Sequence, residues 1–259
     1  MNILLVGGES AGLQTLKATA GTEHQLVGVL ASPSRNGFPS AGIAGLAEKL
    51  GVPSWPARRV RDPDFAGFVR DSAVDLLLNV HSLYVIDRAV LEAPRLGCFN
   101  LHPGPLPECA GLNAPSWAIQ QGARAHGVTL HWMAAAIDAG PLAYCERFPI
   151  EDTDTGLTVA MKCIRLGLPL IQRLLQAAAT DPAAIPRLPQ DLSKRRYFGA
   201  GPPEGGQLSW NTPARQIFDF VRASDYRPFQ SPWIHPRACF NGRELGIVSA
   251  RPTGRRTSE

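Results

Sequence analysis

The chain has 259 residues, 44% of them hydrophobic and 19% charged. That is enough apolar material for a substantial core, and it excludes disorder as the general state. The 26 Lys and Arg against 22 Asp and Glu give a formal charge of +4. Arg251, Arg255 and Arg256 at the end of the chain supply three of those positive charges, so the body is close to neutral and no strong nucleic-acid footprint is indicated. The five cysteines, Cys98, Cys109, Cys145, Cys163 and Cys239, form no C-x-x-C pair. This argues against a disulfide framework or a zinc site and for a reducing, cytoplasmic setting. Residues 1–8 lack the basic start and long apolar run of a secretory leader. No stretch approaches the about 20 apolar residues that cross a bilayer.

In chain order, residues 3–6, 26–31, 76–80, 98–101 and 128–132 read as buried or half-buried strands. Helical stretches lie between them at 13–20, 43–50, 64–72, 87–91 and 114–121. This alternation predicts an α/β fold with a doubly wound, mostly parallel sheet. Gly51-Val52-Pro53 stops the second helix and starts a short strand. Residues 155–179 predict one long helix, capped by Thr153 or Thr155, with Leu157, Met161, Ile164, Leu168, Ile171 and Leu175 as its apolar stripe. Residues 181–206 read as a Pro- and Gly-rich linker over the surface. Residues 207–259 then form a small α+β appendage of about 50 residues, too short for much core of its own. It comprises an amphipathic helix over 212–222, a hairpin turned by Asn241-Gly242 and the basic tail. The chain thus divides into 1–180, 181–206 and 207–259.

Two places carry polar groups that chemistry could use. Gly7-Gly8-Glu9-Ser10-Ala11-Gly12 follows a strand and opens a helix, where an anion could be cradled. It is not G-x-G-x-x-G and no acidic residue closes the second strand, so a tight turn is favoured over a dinucleotide site. The second place is Asn100-Leu101-His102-Pro103. Period-two alternation puts Asn100 and His102 on one face and turns Phe99 and Leu101 into packing. The prolines end this strand at the carboxyl edge of the sheet, where parallel sheets form ligand crevices. Downstream, Asp138 lies in the small-residue loop Ala134-Ala135-Ala136-Ile137-Asp138-Ala139-Gly140. A poorly solvated carboxylate there needs a partner, and His102 is the natural one. The bland readings remain a satisfied polar pair at Asn100 and His102 and a loop-stabilising Asp138.

Asn100-Leu101-His102-Pro103, then Gly111, then Gly127-Val128-Thr129-Leu130-His131, then Ile137-Asp138-Ala139-Gly140-Pro141-Leu142 resemble the 10-formyltetrahydrofolate-dependent formyltransferases. The match is dense from about residue 75 to residue 175. The resemblance implies a Rossmann-like formyltransferase fold and a one-carbon transferase with 10-formyltetrahydrofolate as co-substrate. It places the catalytic trio on Asn100, His102 and Asp138. It places the pterin-binding strand end on Tyr84, Val85 and Ile86, and the loop over the pterin on Ala135, Ala136 and Ile137, with His131 near the folate. The residue types suit that chemistry. Asn100 and a protonated His102 are donors for the oxygen that gains charge during transfer, and Asp138 can raise the His102 pKa and help it shuttle a proton. No metal is required, and no Cys or Ser nucleophile is well placed.

The same resemblance implies a small-molecule amine as the partner. An amino acid such as N-hydroxyornithine, on the way to siderophores, is favoured over a nucleotide-linked amino sugar. A tRNA acceptor is disfavoured because no basic stripe is present. A non-catalytic folate-binding relative and a nucleotide-dependent oxidoreductase are the remaining alternatives. Trp233 and His235 are expected to pack the appendage onto the catalytic part. Cys109 reads as a passive thiol and Trp117 as a core residue. The oligomeric state is not legible.

Overall fold

The structure is a computed structural model that describes residues 1–32 and 41–251. Its centre is a seven-stranded sheet. The first part comprises β1 (Asn2–Gly7), α1 (Glu9–Ala20), β2 (Gln25–Ala31), α2 (Ala41–Lys49), β3 (Ser54–Pro56), α3 (Phe65–Asp71), β4 (Leu76–Val80), α4 (Arg88–Leu91) and β5 (Gly97–His102). It continues through β6 (Ala110–Gly111), α5 (Ala114–Gln120), β7 (Ala125–Trp132), β8 (Leu142–Pro149) and α6 (Gly156–Thr180). The chain then runs through β9 (Tyr197–Phe198), α7 (Ala214–Ala223), β10 (Arg237–Phe240) and β11 (Arg243–Gly246). The large sheet has the order β3-β2-β1-β4-β5-β7-β8. The first five of these strands are parallel, while β7 and β8 run antiparallel to their neighbours.

The strands are two-sided, as near-continuous Leu and Val runs require of a covered parallel sheet. Ile3, Leu5, Leu76, Leu78, Phe99 and Leu101 face α1, α2 and α6. Leu4, Val6, Leu30 and Leu77 face Phe65, Ala66 and Val69 of α3 on the other side. A side chain such as Phe65, essentially fully buried, contributes about 1.5–3 kcal/mol of transfer free energy.

Helix α6 is capped by Thr155, with reciprocal bonds between Thr155 and Thr158 at 2.9 and 3.3 Å. Its buried face overlaps the expected stripe in part, at Ile171 and Leu175. Gly156, Val159, Cys163, Gly167, Leu170, Ile171, Leu174 and Leu175 face inward, and Met161 is exposed. Gly167 lets the helix approach the sheet closely, since a Cβ there would lie 2.8 Å from Leu101, while Leu170, Ile171, Leu174 and Leu175 fill the contact beyond it.

The chain after α6 is more than a surface connection. β9 pairs in parallel with β6, and Leu188 bridges Leu142 at the start of β8. Helix α7 packs on α5, and Phe220 and Trp233 join the main core. The Tyr226 hydroxyl meets Ser116 Oγ at 3.1 Å. Arg222 donates to Asp219 at 2.7 Å and to the carbonyls of Glu151 and Asp154 at 2.8 Å. The hairpin of β10 and β11 has only Leu208, Val221 and Ala238 as its buried apolar cluster. The tail beyond Arg251 lies outside the described residues. Among the described residues no helix is long and apolar enough to cross a membrane.

Candidate active site

Strand β5 delivers Asn100 and His102 to one side while Phe99 and Leu101 are buried in the core. His102 is 3% exposed, and its Nε2 lies 2.6 Å from the carbonyl of Cys109. A carbonyl only accepts, so Nε2 carries the proton in the neutral ring and Nδ1 holds the lone pair. A Cβ on Gly104 would fall 2.9 Å from that Nε2 and 2.8 Å from the Cys109 carbonyl, so the turn after Pro103 has no room for a side chain there.

Nδ1 of His102 faces Asp138 Oδ2 at 3.6 Å. Asp138 comes from the loop between β7 and β8, in a left-handed conformation with φ of 53°. Its Oδ2 accepts the backbone N–H of Gly111 at 2.9 Å. The loop can double back because Gly140 touches strand β7: a Cβ there would lie 1.9 Å from the Trp132 carbonyl. The chain after α6 braces the same loop from outside. Gln190 donates to the carbonyls of Asp138 and Gly140 at 3.0 and 2.6 Å, and Arg195 donates to the carbonyl of Ile137 at 3.0 Å.

Burial pushes the Asp138 carboxyl up, but His102, then His131, whose Nε2 lies 3.6 Å from Asp138 Oδ1, and then the Gly111 N–H outweigh it and hold the group at about 2. It is therefore ionised at neutral pH. His102 moves opposite to the sequence-based expectation. Burial lowers its pKa below 6.5, and the Asp138 charge offsets only part of that. The resting imidazole is neutral and able to take a proton. Burial and the nearby Glu108 push the Cys109 thiol up to about 11, in keeping with a passive role.

Asn100 Nδ2 lies 3.0 Å from His131 Nε2, and Asn100 Oδ1 accepts from Asn79 Nδ2 at 3.0 Å. Asn100, His102, His131 and Asp138 all line one cavity of about 420 Å³, a size typical of small-molecule sites. Tyr84, Val85, Ile86, Ala135 and Ile137 line it as well, and with Leu83, Leu91 and Met133 they form an apolar wall. Ala136 is exposed and lies outside that lining. Glu9, His81, Asn113, Tyr197 and Tyr226 give the cavity a polar wall, with His81 Nδ1 3.6 Å from Glu9 Oε2.

The Gly7–Gly12 stretch is a tight turn. Gly12 packs directly on Gly7, and a Cβ on Gly8 would meet the His81 carbonyl at 2.6 Å. Trp117 stacks on Phe198 and donates to the Gly199 carbonyl, away from the cavity lining. Asn79, Gln190 and Arg195 are not legible as site residues in the sequence. Asn79 is hidden inside an apolar strand, and the other two act on backbone carbonyls, which leave no mark in side-chain patterning. Among the described residues no group of three or more His, Cys, Asp and Glu could hold a metal ion.

A half-buried amide, a neutral imidazole and an ionised carboxylate thus meet at the carboxyl edge of a doubly wound sheet. The sequence profile of the formyl transferase family matches residues 9–172. The chain belongs to that family. It is 29% identical to a methionyl-tRNA formyltransferase from Sorangium cellulosum over 255 residues, covering 96% of this chain and 79% of that one. Its fold matches the crystal structure of a 4-N formyltransferase from Francisella tularensis with a TM-score of 0.74 at 18% identity, over 95% of this chain and 96% of that chain. It also matches an N-formyltransferase from Helicobacter canadensis, solved with folinic acid and dTDP-3-aminofucose, with a TM-score of 0.71 at 16% identity, over 95% and 86% of the two chains.

Proposed function

We propose that the protein moves a formyl group from 10-formyltetrahydrofolate to the amine or hydroxylamine nitrogen of a small acceptor, with Asn100, His102 and Asp138 as its catalytic residues. The observation that carries this reading is the convergence of those three side chains on one cavity that has an apolar and a polar wall. The apolar wall suits a reduced pteridine, held between Tyr84, Val85 and Ile86 and the loop residues Ala135 and Ile137. The bound folate supplies an activated formyl group on nitrogen.

The side chains divide the remaining work. Neutral His102 takes the proton that the attacking nitrogen loses, on Nδ1, the ring nitrogen left free by the Cys109 contact. Asp138, ionised and 3.6 Å away, stabilises the imidazolium that forms. The proton then leaves His102 for the departing nitrogen, which resets the ring. Asn100 donates an N–H to the oxygen on which charge builds. The seclusion of His102, His131 and Asp138 from water strengthens each of these interactions.

The acceptor lies along the polar wall. Glu9, the first residue of α1, lines the cavity and brings a negative charge to the helix end that would otherwise favour a phosphate. That favours an amino-acid acceptor such as N-hydroxyornithine. A nucleotide-linked amino sugar is the second reading, supported by near end-to-end likeness to the Helicobacter canadensis enzyme. The test is incubation with 10-formyltetrahydrofolate and a panel of N-hydroxyornithine, an amino-sugar nucleotide and methionyl-tRNA, followed by mass analysis for one added formyl group. Formylation of the amino acid, lost in His102→Ala and Asp138→Ala, supports the proposal. Full turnover in both variants overturns the assigned roles, and formylation of the sugar or the tRNA alone replaces the acceptor.

A further inference from the structure

We infer that Asn79 is a positioning residue that fixes which end of the Asn100 amide faces the reacting groups. The inference rests on the role proposed for Asn100. In the sheet, Asn79 of β4 stands opposite Asn100 of β5, and Asn100 stands opposite His131 of β7. The three polar side chains thus form one row across three adjacent strands. Asn79 is 5% exposed and lines the same cavity.

Backbone carbonyls close both ends of this row. Asn79 Nδ2 donates to the Ser82 carbonyl at 3.4 Å and to Asn100 Oδ1 at 3.0 Å. At the other end His131 Nδ1 lies 2.8 Å from the Trp132 carbonyl. Carbonyls only accept, so with His131 neutral, its Nε2 also 3.6 Å from Asp138 Oδ1, the row has a single self-consistent polarity. Asn79 gives its amide hydrogens to Ser82 and Asn100. His131 gives its Nδ1 hydrogen to Trp132 and keeps a lone pair on Nε2. Asn100 Nδ2, 3.0 Å away, donates one hydrogen to that lone pair and keeps the other for the cavity.

Turning the Asn100 amide over would set its NH2 group against the NH2 group of Asn79. Turning Asn79 as well would set its carbonyl oxygen against that of Ser82. The row therefore holds the Asn100 donor in place before any substrate binds, as stabilisation of a developing oxyanion requires. The Oδ1 of Asn79 is buried and has no hydrogen-bond partner. A buried polar atom left without a partner costs stability. Positioning of Asn100 gives a reason for an Asn here in a strand otherwise made of Leu and Val.

The test compares Asn79→Leu, of similar size without the donor, and Asn79→Asp, which at neutral pH only accepts, with Asn100→Ala as the reference. Each is assayed with 10-formyltetrahydrofolate and the acceptor formylated in the panel above. Binding of 5-formyltetrahydrofolate and the melting temperature are measured alongside. The expected result is a kcat lower by about 10- to 100-fold in both Asn79 variants. The KM for the donor and the Kd for 5-formyltetrahydrofolate stay within about threefold of the native values. Asn79→Asp is the slower of the two, because its carboxylate turns the Asn100 NH2 group away from the cavity. Asn79→Ala replaces the leucine variant if the leucine is not accommodated. A native kcat in Asn79→Leu overturns the inference, as does a kcat loss matched by equal losses of folate affinity and melting temperature. If Asn100→Ala itself turns over normally, the role of Asn100 falls. If Asn100→Ala is inactive while Asn79→Leu is native, only the positioning inference falls.

Discussion

Replacing Asp138 by Asn isolates the charge of one buried carboxylate while keeping an oxygen for the Gly111 N–H. In the native protein Asp138 Oδ2 lies 3.6 Å from His102 Nδ1. A unit charge pair at that separation is worth about 1 kcal/mol in water and about 5 kcal/mol at an effective dielectric constant of about 20. Both groups are almost wholly buried, which places the interaction nearer the second figure. The attraction exists only when His102 is protonated, so its loss falls mainly on the transition state. With each 1.36 kcal/mol worth about a factor of ten, kcat is expected to fall about 100- to 1,000-fold.

The pH dependence of the same variant gives a second, sharper signature. His102 already titrates below 6.5 because burial outweighs the pull of Asp138. Without that pull it titrates lower still. The acid limb of the kcat profile therefore moves toward lower pH, even as the plateau drops. Steady-state rates from pH about 5 to about 8 measure both effects. A native plateau, or an acid limb that stays or moves toward alkaline pH, refutes the pairing.

Two further expectations concern stability. His126 is buried, and burial lowers its pKa from 6.5 to about 4. The unfolded chain binds that proton first on acidification, so the stability contribution is present above 6.5 and is lost as pH falls toward 4. Between about pH 7 and about pH 5 the native protein should lose about 2 kcal/mol more in urea titrations than His126→Gln, and equal losses would contradict the assignment. Arg222→Ala removes a buried cation from Asp219 and from the carbonyls of Glu151 and Asp154. The expected loss is about 3–5 kcal/mol, seen as a melting temperature lower by about 6–20 °C, and a drop under about 2 °C would mean that Arg215, which also bonds Asp219, carries the carboxylate alone.

Much of the fold was legible because its signals are local. Short apolar runs mark β1, β2, β4, β5 and β7, and period-two alternation places Asn100 and His102 together. Strand β8 escaped. Its Cys145, Glu146 and Arg147 are exposed in succession, which masks the alternation of an edge strand. Ile171 and Leu175 of the inward face of α6 were legible, but Gly156 and Gly167 escaped because they carry no hydrophobic signal. The protonation state of His102 depends on how deeply the fold buries it, and the pairing pattern of residue types favours the opposite sign. Asn79 reads as an interruption in an apolar run until β5 is placed beside it.

The brace on the loop between β7 and β8 comes from residues some fifty positions further along the chain, at Gln190 and Arg195. The lone donor strand at Tyr197–Phe198 ties the same segment to Gly111, whose N–H holds Asp138. The reactive corner is thus clasped by a part of the polypeptide that carries none of the reacting groups. A chain cut after α6 would retain all three of those groups and every strand of the large sheet, yet it would leave Asp138 on an unsupported loop.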